Sequence, residues 1–302
     1  MLWKLARYGR PRHVVLFGPV SLGDDVLCTA VLHELRRRSA QRLWMMSNNP
    51  GLFAGNPDVD RVVPVDVHHA RLLARLGSHL IRPLVFGVTD GGARLVPPPR
   101  HVIAEMCRVA GLGGEVSLRP YMHLSPDERR RGRRAEHQVV VHSSGRGARY
   151  PMSNKDWGPD RFQAVVDRLR GAFQCVQLGG PTDPPLAGAI DLRGQTSLRE
   201  SAAIVSASDA VICQVGFLMH LARATDVPAV VIYGGVEDPA VTGYPANENL
   251  TNVPPCGVCW LPNNCPQQQQ CMAAISVDAV VGALHRIVRR PAGPLPVAAA
   301  RL

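Results

Sequence analysis

Val211-Ile-Cys-Gln-Val-Gly-Phe-Leu-Met-His-Leu-Ala222, followed by Ala229-Val-Val-Ile-Tyr-Gly-Gly235, reads as one unit. An apolar run ends in a polar, glycine-bearing turn. A helix of small and apolar residues starts there, with Met219 and His220 in its first turn. A second apolar run closes on Gly234-Gly235. Strand, turn, helix, strand is the unit from which parallel sheets are built. A helix that starts at the carboxyl end of a strand leaves backbone N–H groups unpaired and adds the positive end of the helix dipole. An anion, here a diphosphate, is expected at that point.

The same pattern recurs on both sides of a basic linker. Towards the N-terminus, Val14–Gly18, Arg42–Met46, Val62–Val65 and Pro83–Gly87 read as strands. Val26–Arg38, His68–Leu80 and His101–Ala110 carry apolar residues at helical spacing. Asp24 and Asp25 stand at the first of these helices, and Asp25 reads as a cap. Residues 121–135, with Ser125-Pro-Asp-Glu and five arginines, read as a linker. Beyond it come a strand at Gln138–His142 ending in Ser143-Ser144-Gly145, a helix at Pro159–Leu169 and a strand at Cys175–Gly180. A capping box at Ser197–Glu200 opens a helix to Ser206, and Val277–Val288 is the last helix. The expected fold is α/β, with two doubly wound domains facing a cleft: residues 1–125 and 126–290, then a flexible tail over 291–302.

The chain has 302 residues, 46% of them apolar and 19% charged, which suits a sizeable core. No apolar run reaches the roughly 20 residues of a membrane span, and the first ten residues do not read as a secretory leader. A cytoplasmic location is expected. The formal net charge of +10 favours phosphorylated substrates, nucleic acid or an anionic membrane surface as partners. Arginines cluster at 36–38, 129–134 and 289–290, without interleaved aromatics and without a zinc-finger or RNP pattern. Nucleic acid is the weakest of the three readings.

Four of the eight cysteines, Cys28, Cys107, Cys175 and Cys213, lie in apolar segments and read as core. The others form Cys256-x2-Cys259-x5-Cys265-x5-Cys271 in a loop rich in Pro, Asn and Gln. Such a set is compatible with a structural zinc or iron site, with free thiols, or with disulfides in an oxidised preparation.

Four stretches in order resemble glycosyltransferase family 9, the heptosyltransferase-type enzymes of lipopolysaccharide core synthesis. They are Gly23-Asp-Asp-Val-Leu-Cys-Thr-Ala30, Lys155-Asp-Trp-Gly-Pro-Asp-Arg-Phe162, Leu192-Arg-Gly-Gln-Thr-Ser-Leu-Arg-Glu200, and Gly216–Ala222 with Tyr233-Gly-Gly-Val-Glu-Asp-Pro239. The resemblance implies a GT-B fold of two Rossmann-like domains, the first facing the acceptor and the second binding a nucleotide-sugar. It implies inverting transfer from a nucleoside-diphosphate sugar to a glycolipid or glycan, with no cofactor or metal in catalysis. Asp24 matches the family's proposed base, which would take the acceptor's proton. Lys155 matches its phosphate-contacting lysine. Gly216, Met219 and His220 would form the helix-terminus cradle. Ser143 and Ser144, at a strand end of the same domain, and Thr242 are further donor-side candidates. Peripheral contact with the inner membrane fits the basic surface. The alternatives are transfer to a protein or a secondary metabolite, and a member that binds nucleotide-sugars without turnover.

The chain departs from the family pattern at one place. The usual acidic residue near the glycine is absent: anchored on Met219-His220 its position is Val215, and with one insertion it is Gln214. Gln214 retains hydrogen-bonding capacity toward a sugar hydroxyl but carries no charge.

Overall fold

The computed structural model describes residues 13–16, 21–40, 42–64, 81–83, 94–148, 150–291 and 293–302. The helix expected over 68–80, and the later residues of the strands expected at 14–18 and 83–87, lie outside them.

In the N-terminal half, His13–Leu16 (β1), Leu43–Ser47 (β2), Arg61–Pro64 (β3) and Ile81–Pro83 (β4) form a parallel sheet in the order β3-β2-β1-β4. β2 is buried along its whole length, as a strand covered on both faces must be. Leu22–Arg38 (α1) buries Val26, Leu27, Ala30, Val31 and Leu35, and Val102–Val109 (α2) packs beside it. Glu115–Ser117 (β5) closes this half.

The C-terminal half holds six parallel strands: Gln138–His142 (β6), Gln174–Gln177 (β7), Ile190–Asp191 (β8), Ala210–Gln214 (β9), Ala229–Gly234 (β10) and Glu248–Thr251 (β11). Their order is β11-β10-β9-β6-β7-β8. From β6 the chain winds outward through β7 to β8, then returns to β9 and winds the other way. The switch point between β6 and β9 is where an open α/β sheet leaves a crevice at its carboxyl ends.

Side chains alternate cleanly between the two faces of this sheet. Val140, Val211, Cys213, Val231 and Tyr233 belong to one apolar cluster, with Leu198–Ser206 (α5) and Phe217–Ala224 (α6). Val139, Val141, Ile212, Val230 and Ile232 belong to the other, with Pro159–Leu169 (α4) and Val277–Val288 (α7). The first cluster runs on without a break into α1, β2 and α2, so the halves share one core.

The halves are joined by Pro126–Gly132 (α3), which carries the expected capping box between Ser125 and Glu128. It packs tightly on α5. A Cβ at Gly132 would penetrate the Ala203 carbonyl, so only glycine permits this approach. Arg199 on α5 ties the halves from the other side. Its guanidinium holds Glu128 through both oxygens (2.6 and 2.8 Å) and donates to the carbonyls of Gly51, Ala54 and His123.

The segment expected as a flexible tail ends in a strand. Ala299–Arg301 (β12) pairs antiparallel with β5, while the amides of Leu118 and Leu302 donate to Ala298 and Gly114. β5 offers a free edge and Val116 a buried contact, and the small residues of an Ala, Pro and Arg segment can pair there.

Candidate active site

Two helix starts meet between the halves. A Cβ at Gly23, in the first turn of α1, would lie 3.1 Å from the His220 ring and 3.6 Å from Phe217 Cα, at the start of α6. The cap of α1 is Ser21, whose hydroxyl accepts the Asp24 amide at 3.3 Å. The Asp24 carboxylate is therefore not needed as a cap. Burial pushes its pKa up to about 7; Asp25 and Glu237 push it further up, whereas Ser21 and Lys155 oppose the shift.

Asp25 does not cap the helix either, contrary to the sequence expectation. It is buried, and accepts from Ser47 (2.9 Å) and Asn49 (2.7 Å), binding α1 to the end of β2. Burial raises it to about 6.

Lys155 ends a short 3-10 turn, Ser153–Lys155, and its ammonium is ion-paired with Glu237. Asn154, just before it, is clamped to the cysteine-bearing loop. Its side chain donates to Leu261 O at 2.8 Å and accepts from Cys265 N at 3.1 Å, and its amide donates to Pro262 O at 3.0 Å. The same loop supports Glu237. Cys259 and Trp260 donate to the carbonyls of Gly235 and Val236, and a Cβ at Gly234, whose φ is +59°, would strike Met272.

The start of α6 has no capping side chain, because its N-cap is Gly216. A Cβ built there meets nothing within 4 Å. Free N–H groups thus face open space at the switch point, where an anion is held best. His220, one turn in, bonds Tyr244 through Nδ1 at 2.7 Å, and burial lowers its pKa to about 3.

Asp24, Lys155, Gly216 and His220 therefore surround one place. Glu237 joins them, unnoticed in the sequence although it lies two residues beyond Gly235, at a strand end where α/β sites gather. The other candidates stand behind them. Ser143 is fully buried, with its hydroxyl between the Gln177 amide (3.0 Å) and the Pro184 carbonyl (3.4 Å). Ser144 accepts the Arg146 amide at 3.1 Å. Met219 is a core residue under Tyr233, and Thr242 donates to that tyrosine's hydroxyl at 3.4 Å. Gln214 bridges two loops: in the orientation that satisfies its amide, it donates to Lys155 O (2.9 Å) and accepts from Gly145 N (3.0 Å).

Cys256, Cys259, Cys265 and Cys271 are free thiols. Burial raises the Cys259 thiol, and the other three add to the shift. Among the described residues no three His, Cys, Asp or Glu side chains are gathered as a metal ion would need them. Four thiols are a suitable donor set for iron or zinc, but they are not drawn to one point.

A separate groove of about 540 Å³ lies along α3 and α5, lined by Glu128, Arg131, Arg133, Arg134, Ser197 and Arg199 among others. It shares no residue with the cluster at the switch point. No helix among the described residues is long and apolar enough to cross a membrane.

A family model described as glycosyltransferase family 9 (heptosyltransferase) matches residues 116–266. Comparison with curated proteins finds no match. Among solved structures, the ADP-heptose LPS heptosyltransferase II of E. coli superposes with a TM-score of 0.67 at 17% identity, over 91% of this chain and 98% of that one. The dodecameric iron-containing heptosyltransferase TibC, in complex with ADP-D-β-D-heptose, gives 0.65 at 18%, over 92% and 77%. E. coli heptosyltransferase WaaC with ADP gives 0.57 at 14%, over 91% and 97%. At these identities the likeness establishes the fold, which is GT-B.

Proposed function

This chain belongs to glycosyltransferase family 9 and is a glycosyltransferase, and from that premise we propose that it moves a heptose from ADP-heptose to a glycolipid or glycan of bacterial lipopolysaccharide synthesis, with inversion and without a catalytic metal. The observation that carries this reading is the cluster at the switch point: a partly exposed carboxylate of raised pKa on one half, facing a lysine and an uncapped helix start on the other. Asp24 takes the proton of the acceptor hydroxyl as that oxygen attacks the anomeric carbon. The leaving ADP gathers charge on its diphosphate. Lys155, the N–H groups from Gly216 onward and His220 meet that charge with fixed donors. Met219 and Thr242 support the cradle through Tyr233, and Ser143 and Ser144 brace the turn after β6 behind it. Gln214 holds the Lys155 and Gly145 loops at a fixed spacing, in place of a sugar-binding carboxylate. We assign the donor to residues 126–290 and the acceptor to residues 1–125.

The relatives solved with ADP and with ADP-heptose support the choice of nucleotide. The net charge of +10 supports an anionic acceptor met at a membrane surface, from the cytoplasmic side. A structural iron or zinc at the four clustered cysteines would require their loop to draw them together first, since they do not meet at one point in this structure.

The test is transfer from ADP-heptose to a panel of lipopolysaccharide-core, protein and small-molecule acceptors, with and without EDTA. ADP release that depends on a core acceptor and persists in EDTA is expected. Asp24→Ala should slow it by roughly 100-fold or more, the usual scale for a lost general base. Turnover by Asp24→Ala at the wild-type rate would sink the assignment. Tight ADP binding with no transfer to any acceptor would favour a binding protein without turnover.

A further inference from the structure

His220 and Tyr244 form a pair that the transfer chemistry described above does not by itself require. Tyr244 is 1% exposed and wedged between two histidines, with ring centroids 5.7 Å from His220 and 5.9 Å from His101. Its place is fixed by its neighbours. Gly243, just before it, has no room for a Cβ, which would lie 2.7 Å from Pro239 O and 2.9 Å from the Tyr233 hydroxyl. The Gly243 carbonyl is held by His101 Nε2 at 3.0 Å. His101 must donate that bond, because its Nδ1 accepts the Ile103 amide at 3.2 Å.

The pair has one hydrogen bond and two candidate protons for it. Burial keeps the Tyr244 hydroxyl protonated and, with the nearby charge of Lys155, keeps the His220 ring neutral. Among the described residues the hydroxyl has no polar partner except His220 Nδ1. If Nδ1 carried the ring proton, the hydroxyl hydrogen would be buried without an acceptor, an arrangement that folded proteins avoid. If Oη donates, both groups are satisfied. The ring proton then sits on Nε2, beside the Cδ2 atom that approaches Gly23. Nε2 has no protein partner among the described residues, so it is free for a ligand.

We propose that Tyr244 is a positioning residue that locks His220 in the Nε2–H tautomer, so that a neutral N–H is aimed at the diphosphate of the donor. The role rests on the cradle reading above; the tautomer does not. A neutral donor beside Lys155 adds a directed hydrogen bond without adding a second cation, which would hold the ADP product as tightly as it helps it leave.

The test is a long-range 1H–15N spectrum of the full chain labelled at histidine, with His220 assigned by its loss in His220→Gln. The ligand-free spectrum should show Nε2 protonated and Nδ1 bare at pH 7; the reverse pattern overturns the proposal. In Tyr244→Phe the His220 signals should move to a mixture of tautomers, and ADP affinity should fall about 5- to 10-fold. A spectrum unchanged by Tyr244→Phe overturns the proposal as well, and because the wild-type spectrum decides the tautomer alone, an unfolded variant leaves the test intact. Adding ADP should shift Nε2 more than Nδ1. If the tautomer is as stated and ADP moves neither nitrogen, the reading of α6 as the diphosphate cradle fails, and with it the role given to the tautomer.

Discussion

A carboxyl that ionises at about 7 rather than 3.8 makes Asp24 both a better proton acceptor and a liability to the fold. Because the proposed base must be ionised to take a proton, the rate should climb with pH along a limb centred near 7 and level off above it. A limb near 4 would mean that a different group acts. Stability has the opposite dependence. As pH rises from 4 to 7 the unfolded chain releases this proton before the folded one does, so the folded state loses ground and does not regain it at higher pH. Asp24→Asn should therefore raise the melting temperature at pH 8, by a margin equivalent to roughly 1–3 kcal/mol, and leave it unchanged at pH 3. Melting curves of the inactive variant at both pH values check this. Glu237→Gln offers a sharper probe of the cluster. It removes a charge that raises Asp24 and releases Lys155, which lowers it, so the activity limb should move to lower pH. A limb that stays put, or moves up, would separate Glu237 from the base.

At the scale of elements, the sequence was most legible where one residue type decides the geometry. Gln138–His142, Pro159–Leu169 and Val277–Val288 fall where apolar period and caps put them. Ile190–Asp191, Glu248–Thr251 and Ala299–Arg301 were not legible. They are two to four residues long, and β11 and β12 are largely polar or small; only pairing with a strand already in place makes them strands. The site divides in the same way. The places where an anion would sit could be read from strand ends and a helix start. The inward turn of Ser143 and the bridging role of Gln214 could not, because each depends on loops distant in sequence. Nor could the hold of the cysteine loop on Asn154 be read, and it carries a prediction. Alkylating the exposed and half-exposed thiols should loosen the turn that carries Lys155, and weaken ADP binding several-fold without lowering the melting temperature of the rest of the chain. Calorimetry on the modified protein decides; unchanged ADP affinity would cut the link between this loop and Lys155. α3 makes a second prediction. Gly132→Ala pushes a methyl into the Ala203 carbonyl and should destabilise the chain by about 1–3 kcal/mol, the range for overpacking in a closely fitted contact. Denaturant melts read the loss.

Across the whole molecule the two halves are less separate than the repeated βα pattern implied. One apolar cluster spans them, Arg199 joins α5 to Glu128 on α3 and to three carbonyls across the junction, and α1 abuts α6. Arg199→Ala should leave Glu128 and those carbonyls without their shared donor. It should widen the angle between the halves, seen as a larger radius in small-angle scattering, and slow transfer more than it weakens ADP binding. An unchanged radius would show that the apolar seam alone sets the angle. β12 adds an order in time to this arrangement. The strand that completes the edge at Glu115–Ser117 is made after the entire second half of the chain. On the ribosome, the half that emerges first therefore waits, with one edge open, until the other half has been synthesised. A nascent chain stalled before residue 299 should expose β5 to protease and chaperone, and release of the last residues should close that window.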